Sequence, residues 1–143
     1  MIEDTTRNQE LSEEWHRLRH SLGKLQIHYT ASIASGGWMI SAVEASIFAL
    51  YIPFGFSVLE HVLLELRDQG SFPCKSSQLG KVMCSSKSAL LWCDFDFIDN
   101  AREIRNGLAH EQVVPTTKQT FLILDKIEEE LTAWRVLKVP VKY

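Results

Sequence analysis

Cysteine, glycine and proline are all scarce in this chain, with three, seven and four copies among 143 residues. Each scarcity excludes something. Cys74, Cys84 and Cys93 are odd in number and lack a CxxC spacing. Neither a disulfide framework nor a zinc site is expected from them, and free thiols in a reducing compartment fit instead. So little glycine and proline, with 45% apolar residues, fits an ordinary globular protein and excludes a disordered one. Charge of one sign is also lacking. A net charge of −3 is not the balance of a broad, nonspecific nucleic-acid binder, although a local basic patch is compatible with it. There is no Walker loop, no paired-carboxylate signature and no Gly-x-Ser-x-Gly turn, so P-loop, kinase and serine-hydrolase chemistry have no basis. The opening residues Met1 to Thr6 carry neither a basic start nor an apolar run, and no signal peptide is expected. From Ala45 to Leu59 there is no charge. That run is shorter than the roughly 20 residues of a membrane span, and Pro53 and Gly55 interrupt it. Between Glu44 and Glu60 it reads as a helix buried on several sides or facing a partner subunit, and no membrane association is expected. The two glutamates either reach water or turn inward, and the solvated reading is the simpler one.

What is present is helical periodicity. The length suits a single domain over 1–143, with frayed tails at 1–8 and 139–143. Leu11, Trp15, Leu18, Leu22 and Leu25 recur at alternating steps of four and three, which draws one apolar stripe on a helix running to about Ile33. Ser35-Gly36-Gly37 breaks it. A second helical region spans Trp38 to Arg67, with Pro53 either kinking or splitting it. Val58, Leu59, Val62, Leu63 and Leu66 face its core, and Gly70 is placed to cap its C-terminus. Residues 71–93 hold Lys75, Lys81 and Lys87 and no acid. They read as a connection with a short helix near Ser76 to Met83, and their lysines as solvated or as a basic wall beside a phosphate site. A third helix runs from Asp94 to Asn106, with Phe97, Ala101, Ile104 and Leu108 inward. Pro115-Thr116-Thr117 opens the last helix, whose stripe is Phe121, Leu124, Ile127, Leu131 and Trp134, ending near Leu137. The expected fold is an all-α bundle of four to six helices.

One hexapeptide stands out: Arg105-Asn106-Gly107-Leu108-Ala109-His110. Arg105 offers a planar fork of donors to a phosphate. His110 can exchange a proton near neutral pH, and Asn106 can orient either neighbour. Residues five apart on an unbroken helix are offset by about 140°. The expectation is therefore that the helix stops at Asn106 or Gly107, with Gly107 in a left-handed C′ position, so that Arg105 and His110 converge.

The stretch Ala101 to Glu111 resembles the signature of the HEPN superfamily: an Arg, four to six residues, then a His, often with Asn directly after the Arg. The resemblance implies a HEPN-like helical bundle over roughly Glu10 to Lys138. It also implies a metal-independent RNA endonuclease that works by transesterification, leaves cyclic-phosphate ends and uses no cofactor. Carried over, Arg105 grips the phosphate, His110 handles the proton and Asn106 fixes the geometry. Two chains would pair as a homodimer with the motif at the interface, which supplies one histidine as acid and another as base. A cytoplasmic toxin or anti-invader defence role follows, with an antitoxin or a nucleotidyltransferase as partner. One departure weakens the last of these. A toxin branch carries His-x-Tyr at the end of the motif, and here Gln112 stands where that tyrosine is modified. Many HEPN domains bind a nucleotide or a partner without cutting, and that is the alternative. A helical scaffold with an accidental motif is the third reading.

Arg102, one turn before Arg105, is a candidate RNA contact and equally an i,i+3 or i,i+4 partner for Asp99 or Asn106. Lys118 is a second candidate. His16 and His20 have a spacing that can bind a metal. No metalloprotease pattern surrounds them, and Arg17 and Arg19 would repel a cation, so no metal site is expected.

Overall fold

The computed structural model describes residues 1–34, 46–110 and 113–138, the side chains of 31–34 excepted. The described chain is all-α, with five helices: α1 (Thr5–Ala34), α2 (Tyr51–Asp68), α3 (Leu79–Ser86), α4 (Phe95–His110) and α5 (Thr117–Ala133). The Ser35-Gly36-Gly37 break, Glu44 and the tail 139–143 lie outside the described residues.

α2 is the central element and touches the other four. Ile52, Phe56, Leu59, Leu63 and Leu66, spaced by three or four, are all fully buried, the pattern of an apolar stripe facing the core. Pro53 sits in the first turn of α2, where its missing N–H leaves no intrahelical bond unmade. Leu50 (φ −61°, ψ −22°), a single turn residue whose N–H donates to Ile47 O at 3.3 Å, separates α2 from the helical residues 46–49. By length and composition Ser46–Asp68 could cross a membrane, but half of its apolar window is buried inside the bundle, as in a core helix. At Gly55, α5 comes so close that a Cβ would lie 2.6 Å from Leu124 Cδ2 and 3.7 Å from the Trp15 ring. A Cβ there would require at least the buried Leu124 side chain to shift, and glycine avoids that.

α1 lays the predicted stripe against α2. Leu11, Trp15 and Leu22 are buried, and Leu18 and Leu25 pack on the core's edge. The N-terminus is docked rather than frayed. Ile2 is buried, Asp4 Oδ1 accepts the backbone N–H of Thr6 and Arg7 at 3.0 Å, and Arg7 Nε reaches Glu65 at 3.0 Å. A capping aspartate stabilises a helix start by satisfying donors that the helix itself leaves free.

Two helix ends use the same device. After α2, Gly70 adopts φ +91°, Gly70 N–H donates to Arg67 O and Ser71 N–H donates to Leu66 O, each at 2.9 Å. After α5, Arg135 takes the same left-handed place (φ +59°). Its N–H donates to Thr132 O (3.0 Å) and that of Val136 to Leu131 O (2.9 Å). Both are the bonding pattern of a left-handed helix stop. The second ends α5 at Ala133, short of Leu137, and turns Val136 and Leu137 back into the core. α5 begins as its sequence predicts, with Thr116 and Gln119 in a reciprocal capping box.

Candidate functional site

The helix that carries the motif is fixed firmly at its start. Asp94 Oδ1 accepts the Phe97 N–H at 3.2 Å. Behind it Glu130, 1% exposed, turns its carboxylate onto the chain entering α4. Glu130 Oε2 accepts the N–H of Cys93 (2.8 Å) and Oε1 that of Asp94 (2.7 Å). A buried carboxylate is tolerated where backbone donors and a helix N-terminus face it. Around this anchor the rings of Trp92 and Trp134 meet edge to face at 4.7 Å and those of Trp92 and Phe95 at 5.1 Å. Trp134 Nε1 donates to Leu91 O at 3.1 Å. Partial desolvation of its sulfur, and then the charge of Glu130, raise the Cys93 thiol above its ordinary range, although the residue as a whole is exposed.

In sequence Glu130 merely ends an unremarkable Glu128-Glu129-Glu130 run, and its anchoring role is a finding of the structure. A signal for it exists: it stands three residues after Ile127 and four before Trp134, inside the apolar stripe.

The other end of α4 differs from expectation. The helix does not stop at Asn106 or Gly107 but runs unbroken through both to His110. Gly70, not Gly107, is the left-handed glycine among the described residues. The reason is packing: Ile104 and Leu108, one turn apart on either side of Gly107, both lie against the core. Holding Leu108 there offsets the roughly 1 kcal/mol by which glycine disfavours a helix interior. Arg105 and His110 therefore stay about 140° apart around the axis and do not converge within one chain. His110 is exposed, and Arg105 and Asn106 are half-buried. The Asn106 side chain makes no hydrogen bond among the described residues, so its orienting role has no visible geometry within one chain.

Arg105 lines a cavity of about 500 Å³ with Ala49, Leu50, Pro53, Leu108 and Val114. Arg102 lies on different ground. Its guanidinium bonds Asp99 Oδ1 at 3.0 Å and Glu103 Oε1 at 2.8 Å and packs over Gly80, the ion-pair alternative for this residue. Lys118 is exposed on the first turn of α5. Lys87 sits above the Phe95 ring at 4.5 Å and 3.9 Å from Asp96, at the far end of α4 from the motif. It forms no wall beside Arg105.

Among the described residues no three His, Cys, Asp or Glu side chains gather as a metal site. No family model, curated protein or solved structure matches this chain.

Proposed function

We propose that this chain is a metal-independent RNA endonuclease of HEPN type, acting as a homodimer through the C-terminal end of α4. The observation that carries the proposal is Arg105. Arg7, Arg19, Arg67 and Arg102 are all ion-paired, whereas the Arg105 guanidinium has no ion pair or hydrogen bond among the described residues. It lines a cavity with Leu108 and Ala109, on the last turns of the helix that ends at the exposed His110. A half-buried guanidinium without a carboxylate partner is a standing invitation to an anion.

The 140° offset supports the dimer. One chain cannot bring its own Arg105 and His110 to one phosphate, but two chains meeting at this end can. Leu50 (62% exposed) and Val114 (43%), which line the Arg105 cavity, leave that end apolar for a free surface. In the assembled site a histidine takes the proton of a ribose 2′-OH, which attacks the neighbouring phosphorus. A second histidine protonates the departing 5′-oxygen, and Arg105 stabilises the charge that builds on the phosphoryl oxygens. No metal is required at any step. A cytoplasmic toxin or defence role, held in check by an antitoxin, is the use that fits such an activity.

The test is incubation of labelled structured RNA with purified protein in excess EDTA. Cleavage leaving 2′,3′-cyclic-phosphate ends, abolished in Arg105→Ala at unchanged fold, is the expected result. Intact RNA after incubation with a folded wild-type dimer overturns the proposal. The largely apolar lining of the Arg105 cavity supports a second reading, in which a nucleotide is held without turnover. Nucleotide titration by calorimetry separates the two.

A further inference from the structure

Three of the seven arginines have no ion pair among the described residues: Arg105, Arg17 and Arg135. In a chain with more acids than bases, guanidiniums without a carboxylate do not reflect a shortage of partners; Arg17 Nε donates only to the Glu13 backbone carbonyl, at 3.4 Å. Arg17 lies on the exposed flank of α1 beside His16, His20, Lys24 and His28, which recur every fourth residue and are all exposed. Four residues of helix rise about 6 Å, a step comparable with that between neighbouring phosphates of an extended single strand. None of these side chains makes an ion pair among the described residues.

The row continues past His16 onto the chain that follows α5. His16 is shared by two adjoining depressions. One, of about 600 Å³, is lined by Arg17, His20 and Lys24. The other, of about 510 Å³, is lined by Arg135 and Lys138. Glu13 is the one carboxylate among the described residues that borders either. Arg135 reaches this place from a left-handed backbone (φ +59°), where Gly70 serves at the equivalent stop. A long side chain kept in that conformation points to a use for the side chain.

We infer that this face of α1, extended by Arg135 and Lys138, is a track for a single-stranded polyanion, and that its occupant is RNA. The track also has a direction. Ser21 Oγ meets Tyr51 Oη at 2.8 Å, and Tyr29 packs on Phe48 at 6.1 Å. The far end of the row therefore lies beside the start of α2, which lines the Arg105 cavity. An RNA strand bound along α1 is led toward the motif end of the bundle. The choice of RNA rests on the endonuclease proposal, whereas binding is measured without cleavage.

The experiment is fluorescence anisotropy with labelled single-stranded 2′-O-methyl RNA, which lacks the nucleophile for cleavage, over a series of salt concentrations. Wild type is expected to bind. Arg17→Gln/Lys24→Gln should weaken binding about tenfold and flatten the salt dependence by about 0.7 in logarithmic slope for each phosphate no longer neutralised. Arg135→Gly, which keeps the helix stop, should weaken it about threefold with an unchanged or higher melting temperature. No binding by wild type, or equal binding by all variants, overturns the inference. So does charge-dependent capture of phosphatidylserine vesicles with no binding of RNA. If the track variants fail to bind but native RNA survives wild type in EDTA, the track stands and the endonuclease proposal falls.

Discussion

The two ends of α4 are built by opposite rules. At its start, two backbone donors end on the buried carboxylate of Glu130, Asp94 caps the first turn, and Trp92, Trp134 and Phe95 close around the entry. Each of those donors has a partner and each ring has a neighbour. At its end, Arg105 has no carboxylate among the described residues, His110 is exposed, and a cavity opens between α4 and the start of α2. A helix held rigidly at one end can present side chains at the other with little loss of position. That is what a site built on a regular element gains over one built on a loop.

Glu130→Ala breaks the anchored end. It leaves two buried N–H groups without an acceptor, and we expect a loss of about 2–4 kcal/mol, read from urea unfolding. The fraction that stays folded should still cleave RNA. A stability loss below about 0.5 kcal/mol would remove Glu130 from the anchor. Gly55→Ala tests the close approach of α2 and α5. With Leu124 Cδ2 2.6 Å from the new Cβ, overpacking should cost about 1–3 kcal/mol, read as a fall in melting temperature. Arg135→Gly is the smallest effect and has the opposite sign. Relief of the left-handed conformation should leave the protein unchanged or more stable by up to about 1 kcal/mol in the same unfolding assay.

Much of the anchored frame is legible in the residues, and the reasons are local. The stripe from Leu11 to Leu25 follows from helical spacing, the stop at Gly70 from a glycine that closes the apolar stripe of α2, and the start of α5 from Pro115-Thr116-Thr117. The open end departs from its local signals for a tertiary reason. Gly107 looks like a helix stop in isolation, but Ile104 and Leu108 on either side of it reach the core and carry the helix through. Arg102 and Arg105 look alike in sequence. What separates them is the presence of Asp99 and Glu103 within reach of one and not the other. His16 and His20 have the spacing of a metal pair, and the longer row through Lys24 and His28 is equally visible in the residues. Its continuation by Arg135 and Lys138 is not, because it depends on the chain turning back after α5 to lie beside α1.

The central claim is that the end of α4 performs chemistry while its start performs support. His110→Ala tests it most directly, with cleavage of labelled RNA in excess EDTA and thermal unfolding measured on the same preparation. The account predicts cleavage lowered by about 100-fold or more, with a melting temperature indistinguishable from wild type. Undiminished cleavage in the variant, or loss of cleavage only in step with loss of the fold, would contradict it.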